Sequence, residues 1–368
     1  MPNSTAAGES HSPATLWDPR VPFPEIRKMP VVAAARHQCV HRAIAGEYQF
    51  LHESAAIFHK GTLFVYWNNA RADECAPDQI FRGRRSRDGG RTWSAPEVIA
   101  PPLEGGVERE SVQLLSHAER LWAFGGRVRS VEAGRAAAGG DTEAFLLDER
   151  TDRWESLGIV TPEFHPLNRP VPMADGNWIM GGQFNLRQPR VAISRRDDFT
   201  RWDVIELPVA QGVRINFGET ALIASRNEVL AVCRSAKTVA LAAWSRDFGR
   251  TWDPVRASNL PMQSSKPCAG LLSTGQRFLL FNTVNRRDML AIAVSGRAEK
   301  LFSRVWKIRE DLPPQPRMPG RSKGPQWSYP AAVEQDGELE QDGELYVTYS
   351  VSKEDCGLSV IPLGALSV

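Results

Sequence analysis

The chain is most informative at first in what it is short of. Its 368 residues contain no apolar run approaching the roughly 20 residues that span a bilayer. Five cysteines (Cys39, Cys75, Cys233, Cys268 and Cys356) are odd in number and scattered, with no C-x-x-C pair. That pattern argues for reduced thiols and against a disulfide framework or a structural zinc site. The formal net charge is only +2, so no strong field draws the chain to nucleic acid or to an anionic membrane. The N-terminal "MPNSTAAGESHSPATLW" has neither the basic n-region nor the apolar h-region of a secretory signal. It reads as a flexible polar leader over residues 1–20, with a cytoplasmic location as the corresponding expectation. What remains, 42% apolar and 24% charged, describes a globular protein.

What the chain does have is a repeated phrase. "SRDGGRTW" ends at Trp93 and "SRDFGRTW" at Trp252, with weaker relatives ending at Trp154 ("LDERTDRW"), Trp202 ("SRRDDFTRW") and Trp306 ("LFSRVW"). The spacings are 61, 48, 50 and 54 residues. A second periodic signal runs between these, as pairs of short β-rich runs around a polar turn. They are "SAAIFHKGTLFVYW", "SVQLLSHAERLWAFGG", "VPMADGNWIMGG", "TALIASRNEVLAVC", "AGLLSTGQRFLLFN" and "AAVEQDGELEQDGELYVTYS". Six hairpins, each followed by further strand-like sequence, describe four-stranded blades of a β-propeller. The expectation is therefore all-β, a single six-bladed domain over 21–368. A strand near residues 30 to 45 would close it onto "LSVIPL", and seven blades are the alternative should residues 16 to 45 form more. In the phrase itself, Ser and Asp bond a tight turn, Gly supplies positive φ, and Thr-Trp starts the next strand. It is a staple between the third and fourth strands, away from the channel. "EQDGEL" occurs twice in tandem at 334–345, where a hairpin needs only one copy.

The phrase is the Asp-box, and the chain resembles the sialidase superfamily from about residue 45 onward. The resemblance implies a glycosidase acting from the end of a glycan on a sugar that carries a carboxylate, and nothing in the sequence requires a cofactor or metal. Three arginines would hold the carboxylate, a Tyr activated by a Glu would be the nucleophile, and an Asp the acid/base. "GETALIASRNEVLAVCR" resembles the stretch carrying Glu219 as partner of the nucleophile and Arg234 as a carboxylate ligand. "FNTVNRRDMLAIAVS" offers Arg287, with Arg286 as alternative, and "WSYP" points to Tyr329. In "NNARADECAPDQ", Asp73 is the choice for acid/base, with Arg71 beside it and Asp78 as alternative.

One position departs. Where the family opens its first inner strand with Arg, "QFLHES" has His52, followed by Glu53. A His of ordinary pKa about 6.5 suits general acid/base chemistry. Related propellers act on rhamnosyl–glucuronate linkages by hydrolysis or β-elimination with a His as the key group. A lyase or rhamnosidase using His52 is thus a second reading, and a non-catalytic carbohydrate-binding propeller a third. Independently of the resemblance, the first residues of the inner strands (His52-Glu53, Glu110-Ser111, Arg169-Pro170, Gly218-Glu219, Lys266-Pro267 and Tyr329-Pro330) should converge at one face, with Lys266 a further substrate-binding candidate.

Overall fold

The computed structural model describes residues 13–129, 138–283, 286–335 and 343–367. Among these residues the strands form six antiparallel sheets around a central channel. Blade I comprises Phe50–His59, Thr62–Ala70, Ile80–Ser86 and Glu97–Ala100, from the innermost strand outward. Blade II follows with Val107–His117, Arg120–Arg129, Ala138–Asp148 and Arg153–Thr161. In blade III the inner strand is broken into His165–Pro166 and Val171–Pro172, ahead of Trp178–Phe184, Gln188–Arg195 and Asp198–Glu206. The break falls where Pro166, Pro170 and Pro172 remove the backbone N–H groups that a ladder needs. Blades IV (Thr220–Ser225 to Arg256–Pro261) and V (Cys268–Leu271 to Phe302–Lys307) are regular. Blade VI takes Trp327–Gln335, Glu344–Val351 and Asp355–Pro362 from the C-terminal end and Arg36–His41 from the N-terminal end. That pairing, Arg36 opposite Val360 through Cys39 opposite Gly357, closes the ring as expected.

The six hairpins predicted from sequence are the first two strands of the six blades. The tandem "EQDGEL" falls at the blade VI hairpin, where Gln335 pairs with Glu344; its residues 336–342 lie outside the described residues. Residues 16 to 45 add no seventh blade. They complete the sixth and wrap its neighbours. The leader also ends earlier than expected: Leu16 and Trp17 are buried, and Trp17 bridges Phe302 of blade V. The apolar pair in "TLW" explains why the polar composition around it misled; residues 1–12 lie outside the described residues.

Both full copies of the Asp-box fold alike. The Ser86 hydroxyl donates to Asp88 Oδ1 at 2.8 Å and accepts from the Gly90 N–H at 2.8 Å. Asp88 then accepts from Thr92 N at 2.9 Å and Thr92 Oγ1 at 2.6 Å. Ser245, Asp247, Gly249 and Thr251 repeat these bonds within 0.1 Å. Both boxes join third strand to fourth. Asp148 and Asp198 keep part of the pattern, bonding Thr151 and Thr200.

Candidate active site

The inner strands of blades I, II and VI share a backbone device. Glu53 (φ 49°), Ser111 (φ 56°) and Tyr329 (φ 57°) sit in the left-handed region. Each lies at a register break, between His52 and Ala55, Glu110 and Val112, and Ser328 and Ala331. A bulge of this kind re-aims a side chain out of the pleat, and such a conformation in a non-glycine residue persists only where its surroundings enforce it. Here the surroundings are bonds between blades. Ser54 Oγ donates to Thr348 Oγ1 at 3.0 Å, Ser350 Oγ to the Leu51 carbonyl at 3.0 Å, and Ser111 Oγ to the Pro166 carbonyl at 2.6 Å.

At that end of the channel lies a cavity of about 290 Å³. Six residues proposed from sequence line it together: His52, Glu53, Glu219, Arg234, Arg287 and Tyr329. Glu219, on the loop entering blade IV, accepts from Arg234 Nη1 at 3.0 Å with both carboxylate oxygens. Arg234 follows the second strand of that blade, lies 4.1 Å over the Phe217 ring and donates from Nε to Ser264 Oγ at 3.1 Å. Burial alone would depress its pKa, but the Glu219 carboxylate and the Tyr329 phenol beside it raise it above the usual guanidinium value. Arg287 donates from Nη1 to the Tyr329 hydroxyl at 3.0 Å and to Gln326 Oε1 at 3.3 Å, and from Nη2 to the Ser264 carbonyl at 3.0 Å. Tyr329 is thus held beside two guanidiniums. A negative charge developing on its oxygen, or a carboxylate brought to the cavity, meets both.

His52 packs against Tyr329, ring centroids 3.9 Å apart. Burial first, and then Lys353, Arg287, Lys266 and Arg234, keep its imidazole well below the ordinary histidine pKa, so it is neutral at neutral pH. Its Nε2 lies 3.2 Å from Glu74 and 3.8 Å from Glu53. Burial pushes the Glu53 carboxyl up to about 7, Glu219 adding to the shift and Lys266 opposing it. One oxygen of Glu53, Oε2, is buried without a hydrogen-bond partner.

Six sequence candidates fall elsewhere. Asp73 turns away from the cavity and caps another loop, accepting from Arg321 N at 2.6 Å and from the Ser322 hydroxyl. An Asp before a turn readily takes up backbone N–H groups, and this one finds them on the loop leading into blade VI. Its neighbour Glu74 faces the cavity instead. Arg71 is exposed, 5.1 Å over the Tyr48 ring and 3.9 Å from Asp78, and neither Arg71 nor Asp78 lines the cavity. Lys266 is almost fully buried behind the cavity wall and acts on Glu53 and His52 through its charge. Arg169, from the inner-strand series, lines a separate small cavity along the channel with Ala55, Gln113 and Leu222. Arg286 is exposed, which leaves Arg287 as the arginine at the site.

The structure brings Glu110 of the inner-strand series to this wall and adds residues that sequence reasoning passed over. Lys353, in a turn of blade VI, donates to Glu74 Oε2 at 2.7 Å and lies 5.5 Å from the Tyr329 ring centre. Burial works against its charge, but Tyr329 and Glu74 hold its pKa above the ordinary value. Glu110, Cys75, His165, Gln183, Leu186 and Phe217 complete the wall. Glu110 was on view as the start of an inner strand; the turn lysine and Cys75 carried no signal that separated them from solvent-facing residues. Burial, and then Glu110, Glu74 and Glu108, push the Cys75 thiol up to about 12.

These features define a propeller with a carboxylate-compatible pocket at its channel mouth, and the comparisons agree on the fold. Residues 61–347 match the BNR repeat-like domain family, and the chain belongs to it. A protein of unknown function from Dyadobacter fermentans DSM 18053 superposes with a TM-score of 0.69 at 15% identity, over 89% of this chain and 99% of that one. The intramolecular trans-sialidase from Ruminococcus gnavus gives 0.67 at 13% identity, over 89% and 98%. Trypanosoma rangeli sialidase gives 0.67 at 12%, over 91% of this chain and 60% of its own. No curated protein matches the chain. Among the described residues no helix is long and apolar enough to cross a membrane.

Proposed function

We propose that the chain cleaves a glycosidic bond at a sugar bearing a carboxylate, such as a sialic acid or a uronate, inside the central cavity. The observation that carries this reading is the cluster of Glu219, Arg234, Arg287 and Tyr329 on one wall, with the phenol oxygen 3.0 Å from a guanidinium. Arg234 and Arg287 grip the carboxylate, since a guanidinium fork matches a carboxylate and is always charged. Tyr329 attacks the anomeric carbon, and the two guanidiniums stabilise the charge on its oxygen as it forms. Glu219, tied to Arg234, is the nearby carboxylate that takes the phenol proton. Glu53, with its unpartnered oxygen and a carboxyl held near 7, supplies the proton to the leaving group. The sialidase-like neighbours support the class of substrate, one of them having been captured with sialic acid.

A second reading is favoured by the contact between His52 and Tyr329. On a uronate held by the two arginines, a neutral His52 would take the proton alpha to the carboxylate and Tyr329 would protonate the departing oxygen. That is β-elimination. A panel of sialosides and rhamnosyl-glucuronate glycans separates the two. Hydrolysis releases a reducing sugar and is lost in Tyr329→Phe. Elimination adds the ultraviolet absorbance of an unsaturated uronate and is lost in His52→Ala. Saturable binding with no turnover on the whole panel would leave a carbohydrate-binding propeller instead.

A further inference from the structure

Across the cavity from the arginines stands a group of ligands that the sugar chemistry does not use. In the inner strand of blade II, Glu108 and Glu110 share a face because side chains alternate along a strand, and the intervening Arg109 turns to Glu143 at 3.0 Å. Opposite them the loop after the second strand of blade I carries Cys75. Gln79 clamps the two together: its Oε1 accepts from Cys75 N at 3.2 Å and its Nε2 donates to the Arg109 carbonyl at 2.5 Å. One ligand atom each from Cys75, Glu108 and Glu110 lies within 4.8 Å of the others.

We propose that Cys75, Glu108 and Glu110 form a divalent-metal site of the zinc type, opening onto the central cavity. The spacing fits the ion. With a zinc–sulfur bond of about 2.3 Å and a zinc–oxygen bond of about 2.0–2.2 Å, the 3.9 Å between Cys75 Sγ and Glu110 Oε1 corresponds to an S–Zn–O angle of roughly 120–130°. That is the trigonal angle or slightly wider, as in a three-ligand site with an open position. One sulfur with two carboxylates suits zinc, whereas calcium and magnesium take oxygen only.

An independent feature of the same wall points the same way. His165, on the broken inner strand of blade III, is buried, and neither ring nitrogen makes a hydrogen bond of good geometry; the Glu110 backbone is only a marginal partner. The ring lies over Gly126, whose backbone pairs with Glu110, so a Cβ at Gly126 would meet both the Glu110 carbonyl and His165 Nε2. A buried neutral imidazole without a firm partner, on the same cavity wall as Cys75 and Glu110, carries a ring-nitrogen lone pair that a metal ion would accept. Three protein ligands leave a position facing the cavity, where water or a sugar hydroxyl can bind.

The site is tested apart from any sugar cleavage, so its failure and that of the glycosidase reading are distinguishable. Full-length protein stripped of metal is titrated with zinc by calorimetry, and with cobalt while the near-ultraviolet thiolate-to-cobalt band is followed. One zinc per chain and a cobalt band are expected. Cys75→Ser should lose the band, Glu110→Gln should weaken zinc binding by more than about tenfold while keeping the band, and Cys39→Ser should match the parent. Should Cys75→Ser fold poorly, judged by its thermal midpoint, Glu110→Gln carries the test alone. No stoichiometric zinc, a band that persists without Cys75, or unchanged affinity in Glu110→Gln would overturn the assignment.

Discussion

Replacing Arg287 by lysine keeps a positive charge near Tyr329 but removes the planar fork. Three of the five guanidinium N–H groups are used by Tyr329, Gln326 and Ser264, and the remaining two are available to a ligand. A lysine can satisfy some of these contacts, never a bidentate grip and the Tyr329 bond at once. Hydrogen bonds to a charged group contribute about 1.5–3 kcal/mol, and each 1.36 kcal/mol is tenfold in rate. Arg287→Lys should therefore lower kcat/KM on an acidic sugar substrate by roughly 10- to 150-fold. Because Arg287 is only half-buried, the thermal midpoint should move little. The decisive comparison adds a substrate whose carboxylate has been reduced to an alcohol. The parent protein should lose activity on it, and Arg287→Lys should lose little more, since the partner of the guanidinium is already gone. Equal losses from the substitution on both substrates would mean that Arg287 holds the protein and not the carboxylate, and the reading of the pocket would fall.

Three further outcomes follow from the same contacts. Glu219→Gln leaves Arg234 buried without its anion and should cost about 3–5 kcal/mol in denaturant unfolding, with Glu219→Gln/Arg234→Met recovering part of it. Glu53 is raised from 4.5 to about 7, so in that window the folded chain holds a proton the unfolded chain has released. Stability should fall as pH rises through it, and activity should decline with a midpoint near 7; a Glu53→Gln variant whose thermal midpoint shows the same slope would contradict this. Asp247→Asn removes an acceptor for Thr251 and Ser245 far from the cavity; it should lower the thermal midpoint and leave kcat/KM unchanged.

The architecture was legible because it repeats. A six-bladed ring writes its turn chemistry several times, and Ser86–Asp88–Thr92 and Ser245–Asp247–Thr251 make the same bonds wherever the phrase appears. The wall was legible on two grounds: Glu219 and Tyr329 stand at inner-strand entries that hairpin spacing locates, and Arg234 was placed by the family resemblance of its hairpin. The loops were not. Asp73 and Glu74 are adjacent, both acidic and both before the Asp-box, and only the partner on the loop near Ser322 decides which turns inward. Lys353 is a lysine in a polar turn, where solvent is the ordinary destination; it is buried because the ring closes and brings that turn over Phe50 and Tyr329. Contacts made by closure join residues hundreds of positions apart and leave no local pattern.

The residue in place of the family's first arginine is best understood through that closure. His52 is neutral in this setting and cannot replace a fixed charge, but Lys353 arrives from blade VI within reach of the same ring of Tyr329. Its ammonium is bound by Glu74, which also contacts His52. On the glycosidase reading, a carboxylate entering the cavity would compete with Glu74 for Lys353, which would make Lys353 a third cation held behind an acid. The geometry predicts a specific asymmetry. Glu74→Gln should tighten binding of an acidic sugar by freeing Lys353, whereas Lys353→Met should weaken it, and the pair Glu74→Gln/Lys353→Met should bind like Lys353→Met alone. Calorimetry on a non-hydrolysable acidic sugar measures all three; tighter binding in the double variant than in Lys353→Met would show that Glu74 repels the ligand directly and that Lys353 is only its structural partner.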